Sequence, residues 1–160
     1  MARSLDMHDE ARLLALVHMA MADGYISVFD AKYHYNYWRP VTAIRDGGNA
    51  AWLSFLGTPP IPDYPSGHTV AGAAVATVLT RFFGTDYVPF KMVSGAPYAG
   101  ISRAFWSFSE AARENGASRV FAGIHFPTAV DQGYVEGQSV GNWVFDHGLK
   151  PSNAVAMSSR

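Results

Sequence analysis

Residues 64–83, YPSGHTVAGAAVATVLTRFF, place a Ser66-Gly67-His68 corner directly before a helix so apolar that it must be buried. Polar groups at a buried helix start are costly unless something polar sits there with them. Ser66 suits the N-cap, and Gly67 lets the backbone come close to a ligand. The free N–H groups and positive end of the helix then face toward an anion. The plain alternative is that Ser66 only caps. His68, on the first turn, is either a satisfied core histidine or a proton donor and acceptor beside that anion.

The rest of the composition limits what such a corner can serve. A chain of 160 residues is read as one domain over 1–150, with 151–160 as a flexible C-terminal tail. Its net charge is −1 and only 16% of residues are charged, which argues against a nucleic-acid surface and makes any electropositive feature local. With no cysteine, disulfides, thiolate nucleophiles and Cys-ligated metals are excluded. The longest apolar run is read as Val70 to Leu79, which is interrupted by Gly72 and is short of the roughly 20 residues that span a bilayer. Acids at Asp6, Asp9 and Glu10 argue against a secretory signal. The expectation is a soluble protein, cytoplasmic by default, with no membrane partner.

The pattern is helical throughout. Asp6 caps a first helix with an apolar stripe at Leu13, Leu14, Val17, Ala20 and Met21, which is expected to falter at Gly24. A second helical stretch, about 25–37, is expected to stop near Trp38-Arg39-Pro40, because proline disfavours helical geometry in the residue before it. Residues 41–64 read as loop, with one helical turn at Ala50 to Phe55. Further helices are predicted from Ser66 to about Phe83, from about Ser102 to Arg119 with a weak point at Gly116, and from Pro127 to about Phe145. Gly133, Gly137 and Gly141 recur at every fourth position of the last helix, so a neighbouring helix is expected to pack closely there. No strand pair stands out, and the fold class is all-α, a helical bundle.

Two further segments carry chemistry. In KYHYNYWRP, Lys32 and Arg39 are seven residues apart among Tyr33, Tyr35, Tyr37 and Trp38. Partly buried cations need an anion. In SRVFAGIHFP, Arg119 offers a planar fork of donors suited to an oxyanion, and His125 lies just before the Pro127 helix start. Taken singly, each has a bland reading as a solvated charge or a structural histidine.

Taken together they resemble, in order and spacing, the signature of the type-2 phosphatidic acid phosphatase and vanadium-dependent haloperoxidase superfamily. The pattern is Lys32 to Arg39-Pro40, then Pro65-Ser66-Gly67-His68, then Ser118-Arg119 to His125, and the likeness spans about residues 29–146. The resemblance implies that Lys32, Arg39 and Arg119 neutralise the oxygens of vanadate or phosphate. Ser66 and the Gly67 amide would add hydrogen bonds, His125 would bond the vanadium or phosphorus, and His68 would be the acid–base residue.

The aromatic stretches AKYHYNYWRPVTAIRDG and RVFAGIHFPTAVDQG resemble the soluble bacterial haloperoxidase-like branch. The implied activity is oxidation of a halide by hydrogen peroxide at histidine-bound vanadate. The alternatives are a soluble acid phosphatase hydrolysing phosphate monoesters through a phosphohistidine, and a truncated oxyanion-binding domain with little turnover. Ile61 stands seven residues before His68, where the family's bromoperoxidases carry a second histidine. Ala129 stands four residues after His125, where the superfamily often has an aspartate that orients the imidazole, so a backbone carbonyl is the expected partner of His125. Asp63 receives no role. Only about thirty residues precede Lys32, where haloperoxidases carry a large helical region. The chain therefore reads as a shortened C-terminal core that forms a homo-oligomer.

Overall fold

The first helix sets the frame. In the computed structural model, which describes residues 5–95 and 98–150, α1 runs unbroken over Met7–Tyr35 and starts on Asp6, whose carboxylate accepts from Asp9 N at 2.8 Å. Leu16, Ala20, Gly24, Val28 and Lys32 are its buried residues, one at every fourth position. The stripe explains why the helix does not falter at Gly24. A Cβ there would lie 3.3 Å from Val70 Cγ1, so the glycine serves close helix packing rather than a break. Lys32 is simply the next position of an apolar stripe. The helix ends at Asn36, in the left-handed region, whose N–H donates to Lys32 O.

Arg39 is extended and Pro40 opens a second helix, α2 (Pro40–Asp46), in a stretch expected to be loop. Proline at a first helical position loses no bond there, so the Pro40 that stops one helix starts the next. The helical turn expected at Ala50 to Phe55 is absent, and that segment is irregular. The third helix, α3 (Gly67–Phe83), follows with Ser66 at the N-cap and Gly84 closing it in the left-handed region.

Residues 102–105 correct the expectation of a helix from Ser102 and of no strand pair. β1 (Phe90–Val93) and β2 (Ser102–Phe105) form an antiparallel hairpin with Phe90 opposite Phe105. The rings of Phe90 and Phe105 lie 5.5 Å apart, and Phe90 packs 5.8 Å from Phe108. α4 (Phe108–Phe121) begins only after Ser107, which accepts from Glu110 N while Glu110 accepts from Trp106 N. That reciprocal cap fixes the helix start six residues later than expected. α4 passes through Gly116, where Tyr134 fills the space a side chain would need and donates to Ala112 O.

The last helix, α5 (Pro127–His147), buries Ala129, Gly133, Gly137 and Gly141 against α3. A Cβ on Gly137 would lie 2.3 Å from Val70 O and 2.7 Å from Ala73 Cβ. The expected close approach is therefore real. Leu16, Ala20, Ala74, Val78 and Val144 join α1, α3 and α5 in the main core, and Phe108, Ala76 and Ala112 tie α4 and the hairpin to α3. The expected tail, 151–160, lies outside the described residues.

Among the described residues one helical stretch, within Met7–Asp46, is long and apolar enough by composition to cross a membrane, with mean hydropathy 1.3. The sequence reading had placed the longest apolar run at Val70–Leu79 instead. In the bundle this stretch buries one stripe and leaves Leu14, Ile26 and Phe29 exposed.

Gly137→Ala is expected to destabilise the bundle by about 1–3 kcal/mol, because overpacking against the α3 backbone outweighs alanine's helix propensity. Thermal unfolding of the variant checks this, and a melting temperature equal to or above wild type would contradict the packing.

Candidate oxyanion site

Four polypeptide segments converge at the N-terminal end of α3. Lys32 arrives on the inner stripe of α1 and is 2% exposed. Its ammonium donates to Pro62 O at 2.8 Å and Asp63 O at 2.9 Å. Arg39, also buried, donates from Nε to Ile61 O at 2.9 Å and from Nη1 to Ile124 O at 2.7 Å. Backbone carbonyls of one loop and one turn thus hold both cations in place. A third N–H on Lys32 and the rest of the Arg39 fork are left for a ligand.

Ser66 is fully buried and stands at the N-cap of α3, yet its side chain does not cap the helix. Its oxygen instead accepts from Thr69 Oγ1 at 2.9 Å. The expectation of Ser66 as a side-chain cap is corrected. Because a hydroxyl has one proton, the bond from Thr69 leaves that of Ser66 free to donate elsewhere. Gly67 is not demanded by packing either, since a Cβ there would meet only Val28 Cγ1 at 3.5 Å and Tyr25 at 3.9 Å. Nothing in the packing of the interior therefore requires glycine at this position.

Arg119 sits in the last turn of α4, and its Nε is buried without a partner. A buried guanidinium N–H left unsatisfied marks a place where an acceptor belongs. The turn from α4 to α5 is short. Gly123 takes φ +73°, which side-chain-bearing residues adopt rarely, and Ile124 N donates to Arg119 O at 3.2 Å. This turn delivers His125, 5% exposed, to the same place.

Asp63, fully buried, is the residue that sequence reasoning left without a role. Its Oδ1 lies 2.7 Å from His125 Nδ1 and 3.8 Å from Arg39 Nη1. The carboxylate partner of His125 therefore comes from the loop before α3 and not from α5, and it is not the backbone carbonyl that Ala129 had suggested. The available signal was an acid five residues before His68 in an otherwise apolar loop; nothing in sequence spacing ties that loop to His125. Arg39 Nη1 lies 3.2 Å from Nε2 and 3.5 Å from Nδ1 of the same ring. The two nitrogen lone-pair directions diverge, so a group nearly equidistant from both packs against the ring rather than bonding along either.

The electrostatics are those of a cluster of cations around one carboxylate. Burial, and then the charge of Arg39, push Lys32 down to about 8, against the opposing pull of Asp63 and Glu136. Burial also lowers Arg39 and Arg119. His125 is held below its ordinary value by burial, although Asp63 pulls the other way. His68, whose ring is exposed, is lowered by desolvation on its inner side and then by Arg119, His125, Arg39 and Lys32. All seven residues singled out in the sequence, Lys32, Arg39, Ser66, Gly67, His68, Arg119 and His125, are thus placed around one end of α3. Among the described residues no cluster of three His, Asp or Glu offers a site for a bare cation. The donor set suits an oxyanion instead.

Sulfate, whose charge is constant over the range concerned, is expected to bind more weakly as pH rises above about 8. A bound dianion favours charged Lys32, so above that pH binding takes up a proton, and affinity falls by up to about tenfold per pH unit. Calorimetric titration across pH measures this slope. Persistence of the same slope in Lys32→Met would contradict the assignment.

Comparisons with known proteins agree with this fold. Vanadium chloroperoxidase of Curvularia inaequalis is 29% identical over 169 residues, covering 74% of this chain and 28% of that protein. The crystal structure of a bacterial vanadium-dependent iodoperoxidase superposes with a TM-score of 0.79 at 39% identity, over 84% of this chain and 32% of that one. A holo bacterial vanadium-dependent chloroperoxidase gives a TM-score of 0.72 at 25% identity, over 82% of this chain and 34% of that one. The chain thus spans about a third of the length of these relatives. Residues 12–153 match the VCPO second helical-bundle domain. A predominantly helical bundle that superposes on these structures and a family match over nearly the whole chain lead to one conclusion: the chain belongs to the VCPO second helical-bundle domain family.

Proposed function

We propose that this bundle is the vanadate-binding part of a vanadium-dependent haloperoxidase, using hydrogen peroxide to oxidise a halide. The observation that carries the reading is the cluster of three buried or half-buried cations and two imidazoles at the α3 start, with a single buried carboxylate, Asp63, among them. Charges gathered at such cost imply an anion as the missing counterpart. The fit to vanadate rests on the buried, unpartnered Nε of Arg119 and on a Gly67 that packing does not require.

In this reading Lys32, Arg39 and Arg119 neutralise the vanadate oxygens, with Ser66 and the Gly67 amide as further donors. His125 would hold the metal. When bound, vanadate supplies the Lewis-acid centre at which peroxide is activated toward halide. His68, exposed at this end of α3 and lowered by desolvation and then by its cationic neighbours, would serve as the proton acceptor for an entering peroxide. Donors fixed in advance by carbonyls 61, 62, 63 and 124 need no rearrangement as charge develops. The exposed apolar residues of α1, Leu14, Ile26 and Phe29, fit the proposal that a second copy or a further helical region covers this face.

The test is halide oxidation by the purified protein with and without orthovanadate, alongside phosphate-ester hydrolysis. Expected are vanadate-dependent oxidation and a loss of at least about a hundredfold in His68→Ala. Ester hydrolysis inhibited by vanadate would instead establish the phosphatase reading. Vanadate binding without either activity would leave a binding domain that needs the rest of a longer protein.

A further inference from the structure

We infer that Asp63 is a positioning residue for His125: it holds the imidazole as the Nδ1–H tautomer and so leaves the Nε2 lone pair free for the bound oxyanion. The inference rests on the oxyanion reading of the site for its purpose, but not for its geometry.

The backbone that carries the carboxylate is held on both sides. Asp63 is fully buried, its N–H donates to Tyr37 O at 2.8 Å, and its own carbonyl accepts from Lys32 Nζ at 2.9 Å. Both ends of its peptide unit are therefore pinned to the segment that carries Lys32 and Arg39. The side chain then places Oδ1 2.7 Å from His125 Nδ1, while Oδ2 has only the long 3.5 Å approach of Phe126 N. Oδ1 makes this close contact off the line of the ring N–H, and no hydrogen-bond donor is aligned with it. A bare Nδ1 would set a lone pair against a carboxylate lone pair at 2.7 Å in a buried site, which is repulsive. A proton on Nδ1 turns that contact into an attraction. The neutral ring has one proton, so Nε2 is then the acceptor.

The arrangement replaces a device from another part of the fold. Ala129, fully buried in the first turn of α5, has no side chain to reach the imidazole, and its backbone carbonyl is already taken by Ser66 N at 2.9 Å. Neither the residue nor its carbonyl is available to orient His125. The task falls to the loop, which ties ring orientation to the positions of Lys32 and Arg39: one residue couples the metal-binding nitrogen to the cations around it.

Long-range proton–nitrogen NMR on the labelled, ligand-free protein reads the tautomer directly. Expected for wild type is a pyrrole-type Nδ1 and a pyridine-type Nε2 at His125. Asp63→Leu, with no acceptor, should lose that signature and bind orthovanadate about 10–100-fold more weakly. Asp63→Asn, which keeps a carbonyl acceptor without the charge, should retain the tautomer and recover part of the affinity. A wild-type ring protonated on Nε2 would overturn the inference whether or not the variants fold, as would an unchanged tautomer and affinity in a folded Asp63→Leu. A correct tautomer shift in a protein that never binds vanadate would sustain the role of Asp63 and remove the haloperoxidase reading instead.

Discussion

Everything at the α3 end depends on how two cationic side chains, Lys32 and Arg39, are kept out of water beside a third, Arg119, that is half-buried. Burying even one unpaired charge costs several kcal/mol. The protein limits that cost with the dipoles of four carbonyls, Ile61, Pro62, Asp63 and Ile124, and with one carboxylate. The short stretch 61–63 is therefore the anvil of the site: it touches Lys32, Arg39 and His125, and it leads directly into the Ser66-Gly67 corner. The compensation is incomplete, as the depressed Lys32 and the unpartnered Arg119 Nε show. An oxyanion would complete it.

The helices are packed so as to make that convergence possible. Lys32 reaches the interior because it continues the Leu16–Val28 stripe, and Gly24 lets α1 lie against Val70. The glycines of α5 let it lie against the backbone of α3, and that contact brings the Ala122–Phe126 turn, with His125, to the first turn of α3. Loss of one of these small residues would act on the site without touching it, by widening the distance between the segments that supply its donors.

What was legible in the sequence was what is local. The three motif segments, the Asp6 cap, the long apolar helix and the glycine stripe each carry their signal within a few residues. The structure brings all seven candidate residues to one place. What escaped required knowledge of distant neighbours. Gly24 reads as a break until Val70 is beside it, and Pro40 reads as a stop until it is seen as the first residue of α2. Ser102–Phe105 reads as helix until it pairs with Phe90–Val93, and the Ser107 cap then sets the start of α4. Asp63 was invisible for the same reason: its partner lies 62 residues away. Ser66 shows a different limit, because its helix-start position is right and its expected bond is wrong.

The central claim is that Lys32, Arg39, Ser66, Gly67, Arg119 and His125 surround one oxyanion. A crystal structure of the protein soaked with tungstate, located by its anomalous scattering, tests this most directly. The account requires one dominant peak at the start of α3, with Arg119 Nε within hydrogen-bond distance of a tungstate oxygen and His125 Nε2 directed at the metal. A peak elsewhere, or tungstate at that helix end without contact to Arg119 and His125, would contradict it.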